Sequence, residues 1–556
     1  MKMLLLCSLV GVLIACNGNG SPVDPPDKTP PTLISTSPIT NATGVDLQSP
    51  ITAAFSENLD PSTLGANVNL KQIGSHQNIS ISPNLNADTI TIGHPALSLR
   101  TSYQASLGNN LKDLAGNAFA GATWNFTTRD GVWHDNQQID NPDLSASTPQ
   151  LAMAADGSAT AVWVSFPGAT SAYLWANHYT PATGWGTPQQ IETQTPKYRS
   201  GARVAVDDFG NAIAVWDQSE AVAGRHDIVA SRYTPANGWS VPEAIETEEV
   251  RTAVNPVIAM NSSGSAVAAW AQNDGTRANV WANVYAPGAG WGTPKLIEAN
   301  DTGNANQPQI AIDSGGNAHV VWIQDAGTVK PSIWGNLYRA SGGWDVAFPL
   351  ELESAAATNP HLGINANGNA VVVWDQSEET FIPPNKTVGY WHVWHSMYTP
   401  ETGWSAAGRI PALNSDTGYA GQAQVGLDAK GNAIAVWLQQ NPTKQTFYDV
   451  WSNRFKFGQG WETPTPLEPG LVNNDIAPQV AVDPAGNAIA VWTHDTGALQ
   501  FNRYLADSGW LTAKGLQPSN PQNTVLPPPQ LAMDSAGNAL AVYLQFGPHV
   551  WASEFR

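Results

Sequence analysis

The pentapeptide Trp-Asp-Gln-Ser-Glu occurs twice, at 216–220 and 374–378, and each copy sets two carboxylates three residues apart. Paired carboxylates hydrolyse glycosidic bonds when they flank the bond at about 5–10 Å. Copying of a repeat also produces identical strings, and that origin of Asp217, Glu220, Asp375 and Glu378 is the simpler one. The second copy has the richer surroundings. Asp375, Gln376 and Glu378 are followed by Phe381, Tyr390, Trp391 and His392, and the next unit of the chain adds Phe447 and Tyr448. Aromatic faces stack on sugar rings while carboxylates and amides bond the hydroxyls, so these nine residues form the candidate ligand-binding set. The alternative is an apolar plug beneath a long loop. A further polar series lies two residues after a recurring Trp: Gln218, Gln272, Gln324, Gln376, Gln439 and Gln545, with Ser165 and His494 as exceptions. Side chains there either cap strand-end backbone groups or ring a ligand. Other chemistries lack carriers. The histidines show neither H-x-x-x-H nor H-E-x-x-H, and there is no nucleophile elbow or phosphate-binding Gly loop. The few Arg are scattered, without the arginine cluster and Tyr–acid pair of sialidases. No catalytic residue, metal ligand or cofactor is assigned.

The elements that position these residues are repeats. "VDPAGNAIAVWTHD" from Val482 returns as "VDDFGNAIAVWDQS" from Val206, "IDSGGNAHVVWIQD" from Ile312 and "LDAKGNAIAVWLQQ" from Leu427. One Trp series runs Trp163, Trp216, Trp270, Trp322, Trp374, Trp437, Trp492, with Tyr543 last. A second, usually after Gly, runs Trp185, Trp239, Trp291, Trp344, Trp404, Trp461, Trp510. The period is roughly 50–60 residues, within reach of propeller blades. Each unit reads as four strands, the third carrying a W-x-N-x-Y alternation such as Trp281, Asn283 and Tyr285 on one face. Such sheets cannot cover both faces alone, so they must stack as a β-propeller. The last unit stops after its third strand, and "GVWHDNQQIDN" from Gly131 supplies the missing fourth. The expectation is an eight-bladed ring closed by its N-terminal strand; seven blades would need a displaced unit, and none is seen. The D-x-x-G-N string itself is a hairpin, with Gly at φ > 0 and Asp capping amides. Calcium is disfavoured because the Asp becomes Asn261 and Asn365 in two units and no further acidic ligands recur.

Ahead of the repeats, residues 31–128 show short alternating runs cut by Asn, Gly and Pro. Ser37-Pro38, Phe55-Ser56-Glu57, "LKDLAGN" and the final Trp124–Thr128 strand resemble the bacterial Ig-like module first named from S-layer proteins. The resemblance implies a β-sandwich spacer without an active site. The first residues, "MKMLLLCSLVGVLIACNGNG", carry one Lys and an apolar run too short to span a bilayer. Leu13-Ile14-Ala15-Cys16 resembles the lipobox of bacterial lipoproteins. That implies cleavage of 1–15, acylation of Cys16 and a Gly/Pro-rich tether over 16–30. Asn17 after the Cys points to the outer membrane. Only Cys16 would remain in the mature chain, so no internal disulfide is expected.

Charge narrows the partners. Across 556 residues, 25 Lys+Arg face 45 Asp+Glu, a formal net charge of −20. Nucleic acid is excluded by the lack of clustered cations, and electrostatic docking on anionic lipid is disfavoured. The sequence therefore reads as an all-β, lipid-anchored, monomeric envelope protein. Residues 129–556 would be a non-enzymatic binding propeller for carbohydrate or a protein partner. Alternatives are a polysaccharide-active hydrolase or lyase, or a scaffold of an envelope complex.

Overall fold

The computed structural model describes residues 27–556 apart from 74–77, 169–170, 192–197, 220–224, 247–251, 300–302, 327–328, 352–354, 383–385, 413–417, 442–446, 469–473, 495, 517–524 and 546. The leader, Cys16 and Glu220 therefore lie outside the described residues. The chain divides into two compact units, one comprising Met1–Ala96 with Ser102–Thr127 and the other Leu97–Thr101 with Thr128–Arg556. No α-helix occurs among the described residues, and no helix there is long and apolar enough to cross a membrane.

The first unit holds two four-stranded sheets. One orders Leu33–Ser37, Ile51–Phe55, Thr89–Gly93 and Ser82–Asn86; the other orders Ala42–Val45, Ala122–Thr128, Ser102–Leu107 and Val68–Gln72. Alternation fills the space between them: Ile51, Phe55, Ile90, Ile92, Tyr103, Trp124 and Phe126 are buried, as expected where each strand sends every second side chain inward.

The second unit is a β-propeller-like series of repeated antiparallel sheets. The fifth repeat shows the pattern: Ala357–Ile364, Ala370–Ile382 and Lys386–Thr399 pair in order. The expected single fourth strand is instead two short ladders, Gly403–Trp404 and Gly408–Arg409, both on the third strand. The break has a chemical cause in other repeats, where Pro188, Pro242, Pro294 or Pro464 sits in the gap and has no N–H to donate.

Neighbouring sheets pack face to face through the first Trp series. Trp163, Trp216, Trp270, Trp322, Trp374, Trp437 and Trp492 are all buried; Trp374, for example, sits among Ile333, Leu337 and Leu350 of the preceding repeat. The third-strand Asn ties sheets together polarly: Asn283 Nδ2 donates to the Ile245 carbonyl of the previous repeat at 2.9 Å and to Gly292 O at 3.1 Å. In the eighth sheet, Val525–Met533, Ala539–Gln545 and His549–Phe555 are followed by Gln137–Gln138, which pairs with Trp551 and Ala552. Ile139 joins Val542 and Val550 of that sheet in one core with Ala161 and Trp163 of the first repeat.

The D-x-x-G-N strings are the hairpins expected. Asp207 Oδ1 accepts from Phe209 N at 2.9 Å and Asn211 N at 2.8 Å, while Gly210 has φ +74°. The glycine has a second reason to be there. A Cβ on Gly264 would meet the Asp207 carboxylate of the preceding repeat at 2.9 Å, and Gly157 stands in the same relation to Asp534. Each hairpin aspartate thus caps its own turn and roofs the next.

Candidate functional site

The stretch after Trp374 is a long two-stranded arm rather than a loop. Its ladder continues from Trp374↔Trp394 through Glu378↔Tyr390 to Ile382↔Lys386; Thr380, Phe381, Ile382, Thr387, Val388 and Tyr390 are β-branched or aromatic and favour extended pairing. Alternation then divides the nine candidates. Gln376, Glu378, Tyr390 and His392 share the face of Trp374, whereas Asp375 and Trp391 lie on the opposite face. Asp375 and Glu378, at odd spacing, cannot act on one bond.

Most of these side chains are already engaged. Gln376, 1 % exposed, accepts the Trp374 indole N–H at 2.7 Å. The equivalent bond recurs at Trp216–Gln218, Trp270–Gln272, Trp322–Gln324, Trp437–Gln439 and, with a hydroxyl, Trp163–Ser165. The glutamine series is thus a set of core partners for tryptophan, a role covered by neither of the two expected from the sequence. Glu378 accepts from Trp394 Nε1 at 3.1 Å and lies 3.5 Å from Arg409, whose Nη2 is 2.9 Å from His392 Nδ1. His392 itself is buried. On the other face Asp375 Oδ2 accepts from Asn359 Nδ2 and the Gln422 amide. Burial pushes the Asp375 carboxyl up to about 6, against the pull of those bonds. Trp391 bridges Tyr419, whose ring meets Tyr448 edge-on at 5.6 Å. Phe447 accepts the Asn441 amide through its carbonyl at 2.9 Å. The Phe381 side chain lies outside the described residues.

A second region went unread in the sequence. A cavity of about 590 Å³ is lined by first strands of seven repeats. In every first strand the register slips once, as between Asn306 and Gln309. The slip places a residue at positive φ in seven of them: Thr148, Gly201, Asn255, Gln307, Asn359, Gln422 and Ala477. Such an extra residue bends the strand and re-aims the next side chains. The position just after the slip is Gln150, Arg203, Val257, Gln309, His361, Gln424, Gln479 and Gln530. All but Val257 line the cavity, and its described lining holds no carboxylate. Burial holds His361 down at about 4, so it is neutral, and its Nδ1 accepts the Val425 amide at 3.3 Å. Among the described lining residues Arg203 supplies the one guanidinium; burial loosens its proton and the Asp217 carboxylate opposes that. The cue was available as Pro149-Gln150, Pro308-Gln309, Pro478-Gln479 and Pro529-Gln530, a proline that blunts an edge strand followed by an amide.

The third region lies in the seventh repeat. Glu468, Asp475 and His494 bring one ligand-type atom each to within 4.8 Å of one another. His494 Nδ1 is 2.5 Å from Asp475 Oδ1 and its Nε2 is 3.3 Å from Glu468 Oε2. Burial opposes a charge on this ring, but the two carboxylates outweigh it and push His494 up to about 9. The sequence reading assigned no metal ligand because 468, 475 and 494 follow no motif spacing; the legible signal was His494 breaking the glutamine series.

Residues 27–128 match the family model described as bacterial Ig-like domain. No curated protein matches the chain. Solved structures similar to it include a protein from Bacteroides thetaiotaomicron, 9% identical, covering 95% of this chain and 98% of that chain with a TM-score of 0.38. An α-L-arabinanase from Penicillium chrysogenum complexed with arabinobiose is 10% identical, covering 76% and 98% with a TM-score of 0.37. A polysaccharide lyase is 10% identical, covering 62% and 87% with a TM-score of 0.40.

Proposed function

We propose that this chain is a lipid-anchored envelope protein in which an Ig-like spacer carries a closed eight-bladed propeller that binds carbohydrate without turning it over. The anchor is Cys16, the membrane the outer one, and the working form a monomer. Closure is supported by the Gln138↔Trp551 ladder and by the core that Ile139 shares with Val542 and Trp163. Binding rests on one observation, the amide-lined cavity. Its size falls in the ~300–1,000 Å³ range of ligand sites. An amide offers both donors and an acceptor, which matches a hydroxyl that is itself both. Five glutamines at one position make a lining of neutral amides with Arg203 as its one described cation. Among the described lining residues there is no carboxylate to pair as general acid and base, which favours binding over hydrolysis.

The test is a glycan screen on the full chain with Cys16→Ser, alongside Gln309→Ala/Gln479→Ala and Trp391→Ala. Ligand capture that the double glutamine variant loses by at least ~10-fold, an energy of about 1.4 kcal/mol, supports the cavity. Loss in Trp391→Ala alone moves the site to the fifth-repeat arm, and release of shortened sugar overturns the non-enzymatic reading.

A further inference from the structure

We propose that the seventh repeat holds a divalent transition-metal ion of the zinc kind. His494 Nε2 and Glu468 Oε2 bind it directly, and Asp475 orients the imidazole through Nδ1. The argument begins with what the other repeats do. In repeats three to six, a buried alanine at the start of strand one faces the glutamine of strand two: Ala253↔Gln272, Ala305↔Gln324, Ala357↔Gln376 and Ala420↔Gln439. In the seventh, both members change together, to Asp475↔His494. The exchange carries a structural loss. Trp492 is fully buried, yet its indole N–H has no partner, whereas the six other tryptophans of the series each have one. Trp492 and His494 share a strand face, so the histidine stands where the indole's acceptor stands in the other repeats.

Folding alone does not account for the trade. A buried ion pair contributes little net stability against well-packed alternatives, and here it replaces a satisfied contact. A repeat that exchanges the amide contact its neighbours share for a charged cluster breaks their rule, and such breaks fall at functional positions. The geometry suits a metal ion. Two ligands at bond lengths near 2.0–2.2 Å in a tetrahedral shell lie about 3.4 Å apart, and His494 Nε2 and Glu468 Oε2 are 3.3 Å apart. A histidine whose other nitrogen donates to a carboxylate is the usual supported ligand, which is the Asp475 contact. Asp449 adds a third carboxyl close enough to feel the charges of Asp475 and Glu468. Among the described residues no Lys or Arg pairs with these acids, so a dication balances them. His494 is only 8 % exposed, so a polymer cannot reach it.

The experiment uses the full chain with Cys16→Ser, free of any histidine tag, stripped with EDTA and titrated with ZnCl₂ by calorimetry, with bound metal counted by mass spectrometry. Asp475→Ala/His494→Gln recreates the pair found in repeats three to six and should fold with an unchanged near-ultraviolet spectrum. The expected result is one zinc bound per parent chain, retained in His549→Gln and absent from the double variant. Asp475→Ala alone should weaken binding by ~10–100-fold. An unmetallated parent, or a double variant that binds as the parent does, overturns the site. Neither result depends on the glycan screen.

Discussion

Repeats six and seven are neighbours with the same backbone plan and opposite chemistry at one place. In repeat six, Trp437 donates to Gln439 at 3.1 Å and an alanine faces the amide. In repeat seven, the indole is orphaned and Asp475 meets His494. A repeat protein carries its own controls. Features that all copies share serve the architecture, and a feature that one copy changes at a cost serves something else. By that measure the glutamines beside tryptophan belong to folding, and the seventh repeat carries a local task.

The largest effect tests the frame in which such comparisons hold. Deleting Gly131–Asn141 removes the strand on Trp551 and Ala552, with the Asn177 Nδ2 bond to Ile139 O. We expect destabilisation beyond ~4–5 kcal/mol, seen as loss of a single cooperative transition in denaturant. Next, Trp437→Ala and Trp492→Ala should each cost ~3–5 kcal/mol for a buried aromatic. Trp437→Ala should be the worse by about 1 kcal/mol because it also strips Gln439 of its partner. Equal costs in chemical unfolding would erase the distinction between the two repeats.

Asp375 offers a pH test of a buried acid without a histidine. Its folded carboxyl titrates near 6, above the ordinary 3.8, so the folded state binds more protons between those values. Stability should therefore fall as pH rises from about 4 to 6, by roughly 3 kcal/mol at 1.36 kcal/mol per unit. Asp375→Asn should flatten that slope, since an amide oxygen still accepts from Asn359 and Gln422 and its NH₂ takes the place of the unpaired Oδ1. A slope that survives the substitution assigns the titration elsewhere. The smallest change is Gln439→Ala, which makes repeat six imitate the orphaned indole of repeat seven and should cost about 1 kcal/mol in thermal unfolding.

The repeats and the hairpins were legible because each rests on local chemistry written many times over, and the Ig-like segment because its short motifs resemble a known module. Gly210 and Asp207 announce a turn in any context, and Trp216 announces a core. The candidate site was legible only as composition. Phe381 to His392 read as part of a long loop, and only the ladder from Trp374↔Trp394 to Ile382↔Lys386 makes the stretch a two-stranded arm. The cavity was missed because glutamine after proline carries no motif: Gln150 and Gln530 become neighbours of one lining only once the sheets are arranged. His494 was noticed as an exception, but Asp475 and Glu468 become its partners through a ladder and a strand end that spacing does not encode.

The pairing of Gln137–Gln138 with the last sheet bears on how the molecule is made. The Val550 amide and the Asp140 carboxylate bond across 410 positions, whereas hairpins such as Trp216↔Val229 join residues 13 positions apart. Local hairpins form in microseconds, and contacts that close long loops come late. During synthesis the first sheet must therefore wait, its Trp163 face uncovered, until the final residues emerge. In the proposed ring that ladder ties the first and last stretches of the propeller region together, so the last contact to form joins the two ends.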